Sequence, residues 1–366
     1  MMLRALAFFI AALGFAAAGG ALAGTPPQRP GAMPRYSHIF VIVEENKDYG
    51  RIVGSPDAPE ITRLARLYGN ATNFFAETHP SEPNYVAMVG GYTYGIRDDD
   101  AYYCKPHDAR PSCPHSGEPG YVDHTVHAPS LATQLENAHF TWKNYNESLP
   151  APGSLAVIAT DSHAAGIPPN VYVYASKHSG FINFASVQKD PKRATHIVGF
   201  GQLHEDLRTG KVPNFSLVVP NLCDEMHGSS ESGTPQDCRY ADASKLISRG
   251  DANVRSLVDE ITKSPVWHSR ENAAIVITFD EDDGGGKQGC CGTDPSDPAN
   301  AGGGHIATVV VTNHGPRGVV DATPYSHYSL LRTIEDAFGI ASHLARANAP
   351  GVRAMLPLFA VSPRSR

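Results

Sequence analysis

The chain has 366 residues, 41% of them hydrophobic and 18% charged, and a formal net charge of −7. That is enough apolar material for a large core, as one big α/β domain or two smaller ones; one is expected. A negative balance without any lysine or arginine cluster argues against nucleic acid or an anionic membrane surface as main partner and favours a small substrate.

The N-terminus opens "MMLRALAFFIAALGFAAAGGALAG": one arginine, Arg4, an apolar run to about Ala18, then small residues ending Ala21-Leu22-Ala23. This charged, apolar, small order is that of a secretory signal peptide cleaved after Ala23. The apolar run is short for a membrane span and is broken early by Gly19-Gly20. The expectation is a signal peptide over 1–23, a Pro/Gly-rich linker over 24–36 and one domain over 37–366. The mature protein is expected to be secreted or periplasmic, with no stable membrane anchor.

In chain order, "YSHIFVIVEEN" reads as a buried parallel strand ending in charge. "APEITRLARLYG" has helical spacing, with Gly69 placed to cap and stop it. "ATNFFAETH" is a strand, and "EPNYVAMVGG" a helix with Pro83 in its first turn. Residues 95–123, rich in Asp, His, Pro, Cys and Gly, read as a loop-like insertion that decorates the site and extends to about 161. Helical "SLATQLENA" and strand-like "FTWKNYNES" follow, then a variable stretch to about Val212. "NFSLVVPN", "AAIVITFDED" and "HIATVVVTN" are apolar strands; "ADASKLISRGDANVRSLVDEITKS" and "SHYSLLRTIEDAFGI" are the clearest helices. Alternating apolar strands and helices imply a mostly parallel sheet covered on both faces.

Six cysteines in an exported chain favour disulfides, with Cys104–Cys113 and Cys223–Cys238 as local pairs. Adjacent Cys290 and Cys291 form a vicinal bridge or each pair elsewhere. No Cys-x-x-Cys spacing supports a structural zinc site.

Ligands of open parallel sheets bind beyond the carboxyl ends of the strands. Here the strands run into Glu44-Glu45-Asn46, into Ser81, into "LCDEMH" and into residues 280–283, all acidic. Taken singly, each has a plain structural reading; Ser81 alone is best read as a helix N-cap. Their convergence on one sheet edge suits hydrolysis of a phosphate ester at a divalent metal. A serine at a helix N-terminus also has backbone N–H groups beside it for a phosphate.

"VEEN", "THPSEPNY", "PNLCDEMHG", "TFDEDDGG" and "YSHYSLLRTIEDAFG", in this order, resemble the signatures of the phosphoesterase family. That family contains secreted acid phosphatases, phosphatidylinositol-3-phosphate phosphatases and phospholipases C. The resemblance implies an alkaline phosphatase-like three-layer αβα sandwich and runs from about His38 to Ile340, least closely across the insertion. It implies Ser81 as a nucleophile that becomes phosphorylated, and a metal held by Glu45, Asn46, Asp280 and Glu281. Asn84, placed as in the similar Thr-x-Pro-Asn run of nucleotide pyrophosphatases, is implied to donate to a phosphate oxygen. Asp224, His227 and His327 resemble either a second metal cluster or residues that contact phosphate and protonate the leaving group.

Asn221 stands where many relatives have an acid, and Glu281 where two-metal relatives have histidine. Both favour one hard ion such as calcium or magnesium; one or two ions of calcium, magnesium or zinc remain open. His79 is expected to orient the loop, Asp282 and Asp283 to shape a turn, and His305 is an outside candidate. The leading expectation is an exported, metal-dependent phosphomonoesterase acting on phosphoinositides or other phosphate monoesters. Its rivals are a phospholipase C-type phosphodiesterase, whose partner is a phospholipid head group, and a secreted calcium-binding protein without catalysis.

Overall fold

A computed structural model describes residues 32–361, so the expected signal peptide and most of the linker lie outside the described residues. From Met33 on, the chain forms one compact unit. The described residues form eleven strands: β1 (His38–Glu44), β2 (Gly69–Phe75), β3 (Trp142–Asn146), β4 (Ile158–Thr160), β5 (Tyr172–Ala175), β6 (Ile197–Val198), β7 (Phe215–Val219), β8 (Ala273–Phe279), β9 (His305–Thr312), β10 (Val319–Asp321) and β11 (Tyr325–Ser326).

Nine strands form the central sheet in the order β10-β2-β9-β8-β1-β7-β3-β6, with β11 beside β2. β1 pairs in parallel with both β7 and β8, while β9 runs antiparallel to both β8 and β2. Every residue of β7 and β8 is buried, as continuous apolar runs covered on both faces must be. Direction decides the site: β1, β2, β7, β8 and β11 end at one sheet edge, and antiparallel β9 begins there.

Helices cover the sheet in two groups. The Pro59–Leu67, Phe200–Thr209 and Ala243–Lys263 helices pack together, and the Leu131–Asn137, Ser81–Gly90 and His327–Phe338 helices form the second group. The result is the three-layer αβα sandwich. The long Ala243–Lys263 helix buries Leu246, Ile247, Gly250, Val254, Leu257, Val258 and Ile261, at the three- and four-residue spacing of an apolar stripe. Each large side chain so buried contributes about 1.5–3 kcal/mol. From the same stripe Asp251 accepts the backbone N–H groups of Glu60 and Ile61 at 2.9 and 2.8 Å. It thereby supplies from another helix the cap that Ala58 cannot give the Pro59–Leu67 helix.

One expected boundary is corrected. Gly69 does not cap a helix; it is the first residue of β2, where a Cβ would stand 3.1 Å from Leu358 and 3.2 Å from the Val310 carbonyl. Strand pairing, not a turn, requires its smallness. The insertion carries no helix or strand between residues 96 and 130 and is stapled by Cys104–Cys113. Cys223 pairs with Cys238, and Cys290 with Cys291.

Candidate active site

The β2 chain leaves the sheet at Phe75 and reaches Ser81 through a turn fixed from two sides. Asn84 accepts from the N–H groups of Glu77 and Thr78 and donates to the carbonyls of Thr78 and Pro80. Opposite, the glycines before β9 lie flat against the turn: Gly303 N–H donates to Ala76 O and Gly302 N–H to Glu77 O. A Cβ on Gly303 would come within 2.2 Å of the Thr78 carbonyl, so a side chain there would displace the serine turn.

Ser81 itself is not the cap of its helix. The cap position is Pro80, no side chain caps the N-terminus, and Ser81 occupies the first helical position. Its hydroxyl is therefore free to point sideways, donating to Glu45 Oε2 at 3.1 Å and lying 3.3 Å from Glu281 Oε1. Glu45 and Asn46 follow β1, and Asp280 and Glu281 follow β8, so the neighbouring strand ends deliver all four to the hydroxyl. Asn46 has a left-handed φ of 54°, tolerated by asparagine, and its N–H donates to Asp280 Oδ1 at 3.0 Å.

These carboxylates are buried, and burial, reinforced by Asp280 and Glu225, pushes Glu45 well above the usual carboxylate range. Burial likewise lifts Glu281 to about 7, opposed by the His79 hydrogen bond. The Asn46 amide sits among acceptors on every side: turned nitrogen-inward it donates to Glu45, Asp280 and Glu281 at 3.1–3.2 Å. Turned the other way, its oxygen faces carboxylate oxygens, an arrangement that a bound cation would convert from repulsion to ligation. Oxygen ligands from Glu45, Asn46, Asp280, Glu281 and the hydroxyl fit a hard divalent ion.

A second cluster shares Glu45. Glu45, His178 and His227 each bring one ligand atom within 4.8 Å of the others. His178 Nε2 lies 3.3 Å from Glu45 Oε1 and its Nδ1 2.7 Å from Glu225 Oε1. Yet His178 Nε2, Glu45 Oε1 and both Glu225 oxygens make no hydrogen bond. Burial, with Lys177 and His227 nearby, holds His178 well below its ordinary range, and burial with Lys177 lowers His227 to about 4. Neutral imidazoles aimed at unsatisfied carboxylate oxygens are metal-ligand chemistry.

The model of the Phosphoesterase family matches residues 55–341. The chain belongs to the phosphoesterase family. As a member it is a phosphoric ester hydrolase. It is 29% identical over 321 residues to a phosphatidylinositol-3-phosphatase of Mycobacterium tuberculosis, covering 88% of this chain and 83% of the relative. It is 24% identical over 310 residues to an acid phosphatase of Aspergillus fumigatus, covering 84% of this chain but 56% of the longer relative. Two solved structures share the fold at 12% identity. A protein of the alkaline phosphatase superfamily from Vibrio parahaemolyticus gives a TM-score of 0.52, over 92% of this chain and 73% of that one. A phosphonate monoester hydrolase from Silicibacter pomeroyi gives 0.51, over 88% and 76%.

Within this phosphoesterase the structure brings Ser81, Glu45, Asn46, Asp280, Glu281 and His227 together, and places three other candidates elsewhere. Asn84 has both amide hydrogens committed to Thr78 O and Pro80 O, so it shapes the serine turn instead of facing a phosphate. His327 is wholly buried with Nδ1 on Glu77 and Nε2 on the Phe279 carbonyl, which leaves no ring nitrogen for the site. Asp224 pairs with Arg249 at 2.7 Å and lines a groove of about 620 Å³ with Asp237 and Lys245. His79 bonds Glu281 and the Gly286 carbonyl, an orienting position, and Asp282 Oδ1 accepts from Gly284 and Gly286 N–H within the turn. His305 bonds the Thr72 carbonyl and stacks on Tyr49.

His178 and Glu225 escaped the sequence reading. Glu225 lay inside "LCDEMH" but was not singled out, and His178 sits in a 3-10 turn, Ser176–His178, within the variable stretch. What brings this turn to the site is Gly180, which has φ 60° and lies against the Tyr85 carbonyl of the serine helix, where a Cβ would stand 2.7 Å away. The His178 ring stacks on Tyr85, one helical turn beyond Ser81, at 5.2 Å.

Proposed function

We propose that the chain is an exported, metal-dependent phosphomonoesterase working through a phosphoserine at Ser81. One observation carries this reading: the Ser81 hydroxyl is turned away from its helix cap and onto the carboxylates of two strand ends. Glu45, Asn46, Asp280 and Glu281 would hold a divalent ion, and Glu45, His178 and His227 a second. Such ions, when bound, acidify a hydroxyl and neutralise phosphoryl and leaving oxygens.

The chain's own groups divide the remaining work. Ser81 Oγ passes its proton to Glu45 Oε2 and attacks phosphorus, and the bond from phosphorus to the leaving oxygen breaks opposite as that oxygen takes a proton from solvent and departs as the alcohol. His79 orients Glu281, and Asn84 holds the turn so that Oγ keeps its aim. Water then cleaves the phosphoserine. The phosphatidylinositol-3-phosphatase relative supports a phosphoinositide among the monoesters taken. Export rests on the charged, apolar, small order of residues 1–23, and no helix among the described residues is long and apolar enough to cross a membrane.

Replacing Ser81 by alanine is expected to lower hydrolysis of p-nitrophenyl phosphate at least about a thousandfold while leaving the melting temperature near that of the parent. Near-normal turnover by that variant would sink the nucleophile. Assaying inorganic phosphate against phosphocholine release separates the monoesterase from a phospholipase C.

A further inference from the structure

Asp99, in the insertion, bridges two donors at the mouth of the site. Its Oδ1 accepts the N–H of Glu82, the residue after Ser81, at 3.0 Å, and its Oδ2 pairs with Lys177 Nζ at 2.7 Å. Lys177 precedes His178 in the same turn, so the element that brings the imidazole to Glu45 also brings the ammonium to Asp99, which holds the N–H of the residue after Ser81. The charges of Glu45 and Asp280 also act on Lys177, after that of Asp99. An open groove of about 630 Å³, lined by Pro80, Arg97, Asp98, Asp99 and His115, leads from solvent to the bridging carboxylate. Both Lys177 and Asp99 keep part of their side chains exposed.

A first-turn N–H one residue after Ser81 and an ammonium, both converging on one carboxylate, match the needs of non-bridging phosphoryl oxygens. A carboxylate offers the same donors two oxygens about as far apart as two phosphoryl oxygens. We propose that Lys177 and the Glu82 N–H bind the phosphoryl group of the substrate. Asp99 holds these two donors in the absence of substrate, as an internal anion that the phosphoryl group displaces. The inference rests on the Ser81 reading only for where the phosphoryl group sits.

The test is competitive inhibition of p-nitrophenyl phosphate hydrolysis by inorganic phosphate, with bound metal measured on the same samples. Lys177→Met is expected to raise the phosphate inhibition constant by roughly tenfold or more, the worth of one charge-assisted hydrogen bond, and Lys177→Arg to recover part of it. Asp99→Asn, removing the competing charge, is expected to lower the constant severalfold. A Lys177→Met constant within twofold of the parent, or one raised only together with loss of metal, overturns the phosphate role. A raised constant in Asp99→Asn overturns the displacement, and this variant decides the matter should Lys177→Met fail to fold. Ser81→Ala turnover reports on the nucleophile independently, so either reading can fall without the other.

Discussion

His327 and His178 are both buried, and each lies between a glutamate and a second acceptor, yet they serve different ends. His327 has hydrogen bonds from both ring nitrogens, to Glu77 and the Phe279 carbonyl, and both bonds need an N–H. Although burial pulls it down, the Glu77 charge and hydrogen bond outweigh this and raise it above its ordinary range. The His327 ring is a strut joining the exit of β2 to the end of β8. His178 meets two carboxylates at similar range without a hydrogen bond on Nε2, and stays neutral. Satisfied valence marks the structural histidine, and unsatisfied valence marks the one with a lone pair to offer.

Breaking the strut should have the larger energetic effect. His327→Leu leaves Glu77 buried without its partner and is expected to cost about 3–5 kcal/mol of stability, read by denaturant unfolding, with bound metal unchanged. The pH dependence sharpens the point. A folded-state pKa raised above the unfolded value means the pair's full contribution is present below about pH 6.5 and is lost as pH rises through the folded value. The stability gap between parent and variant should therefore narrow as pH climbs from 6.5; a gap that widens would show a neutral His327.

At the open histidine the loss should appear in metal and rate. His178→Ala is expected to remove one equivalent of divalent ion, counted by elemental analysis, and to lower turnover by about ten- to a hundredfold. Full metal content with unchanged turnover would make His178 another strut and erase the contrast. The smallest effect belongs to Asp224, whose pairing with Arg249 satisfies it away from the serine. Asp224→Asn is expected to cost about 1.5–3 kcal/mol of stability, the worth of one charge-assisted hydrogen bond in a largely buried pair, but to leave turnover within about twofold; a large loss of metal would return it to the site.

The sheet was legible because β1, β7, β8 and β9 are unbroken apolar runs, and a run buried on both faces has few alternatives to a central strand. The Ser81, Glu45 and Asp280 group was legible for a related reason: apolar strands that stop at polar residues place them at one edge. His178 was not, because its turn has no period and is brought in by Gly180 against the serine helix, a contact between segments nearly a hundred residues apart. His327 misled in the other direction. A histidine opening a helix after "YS" resembles a ligand, and only the position of Glu77 shows that both its nitrogens are occupied. Asn84 shows the limit of spacing arguments: it does stand one turn beyond Ser81, but its amide is consumed by the turn it stabilises.

The flat contact between Gly303 and the serine turn separates what this enzyme can alter from what it cannot. The serine turn and the acidic end of β8 are registered against one another through main chain, with Gly302 and Gly303 donating to Glu77 and Ala76 and the Gly303 carbonyl accepting from Asp282 N–H. A single added methyl at Gly303 would stand 2.2 Å from the Thr78 carbonyl and 2.8 Å from the Ala76 side chain and would displace the turn that carries Ser81. The insertion has no such constraint. It is held by its own disulfide and meets the serine helix through side chains, Asp99 at the Glu82 N–H and buried His124 at the Glu82 carboxylate, so away from these anchors its residues can be exchanged one at a time. The rim can thus change while the serine turn stays in place.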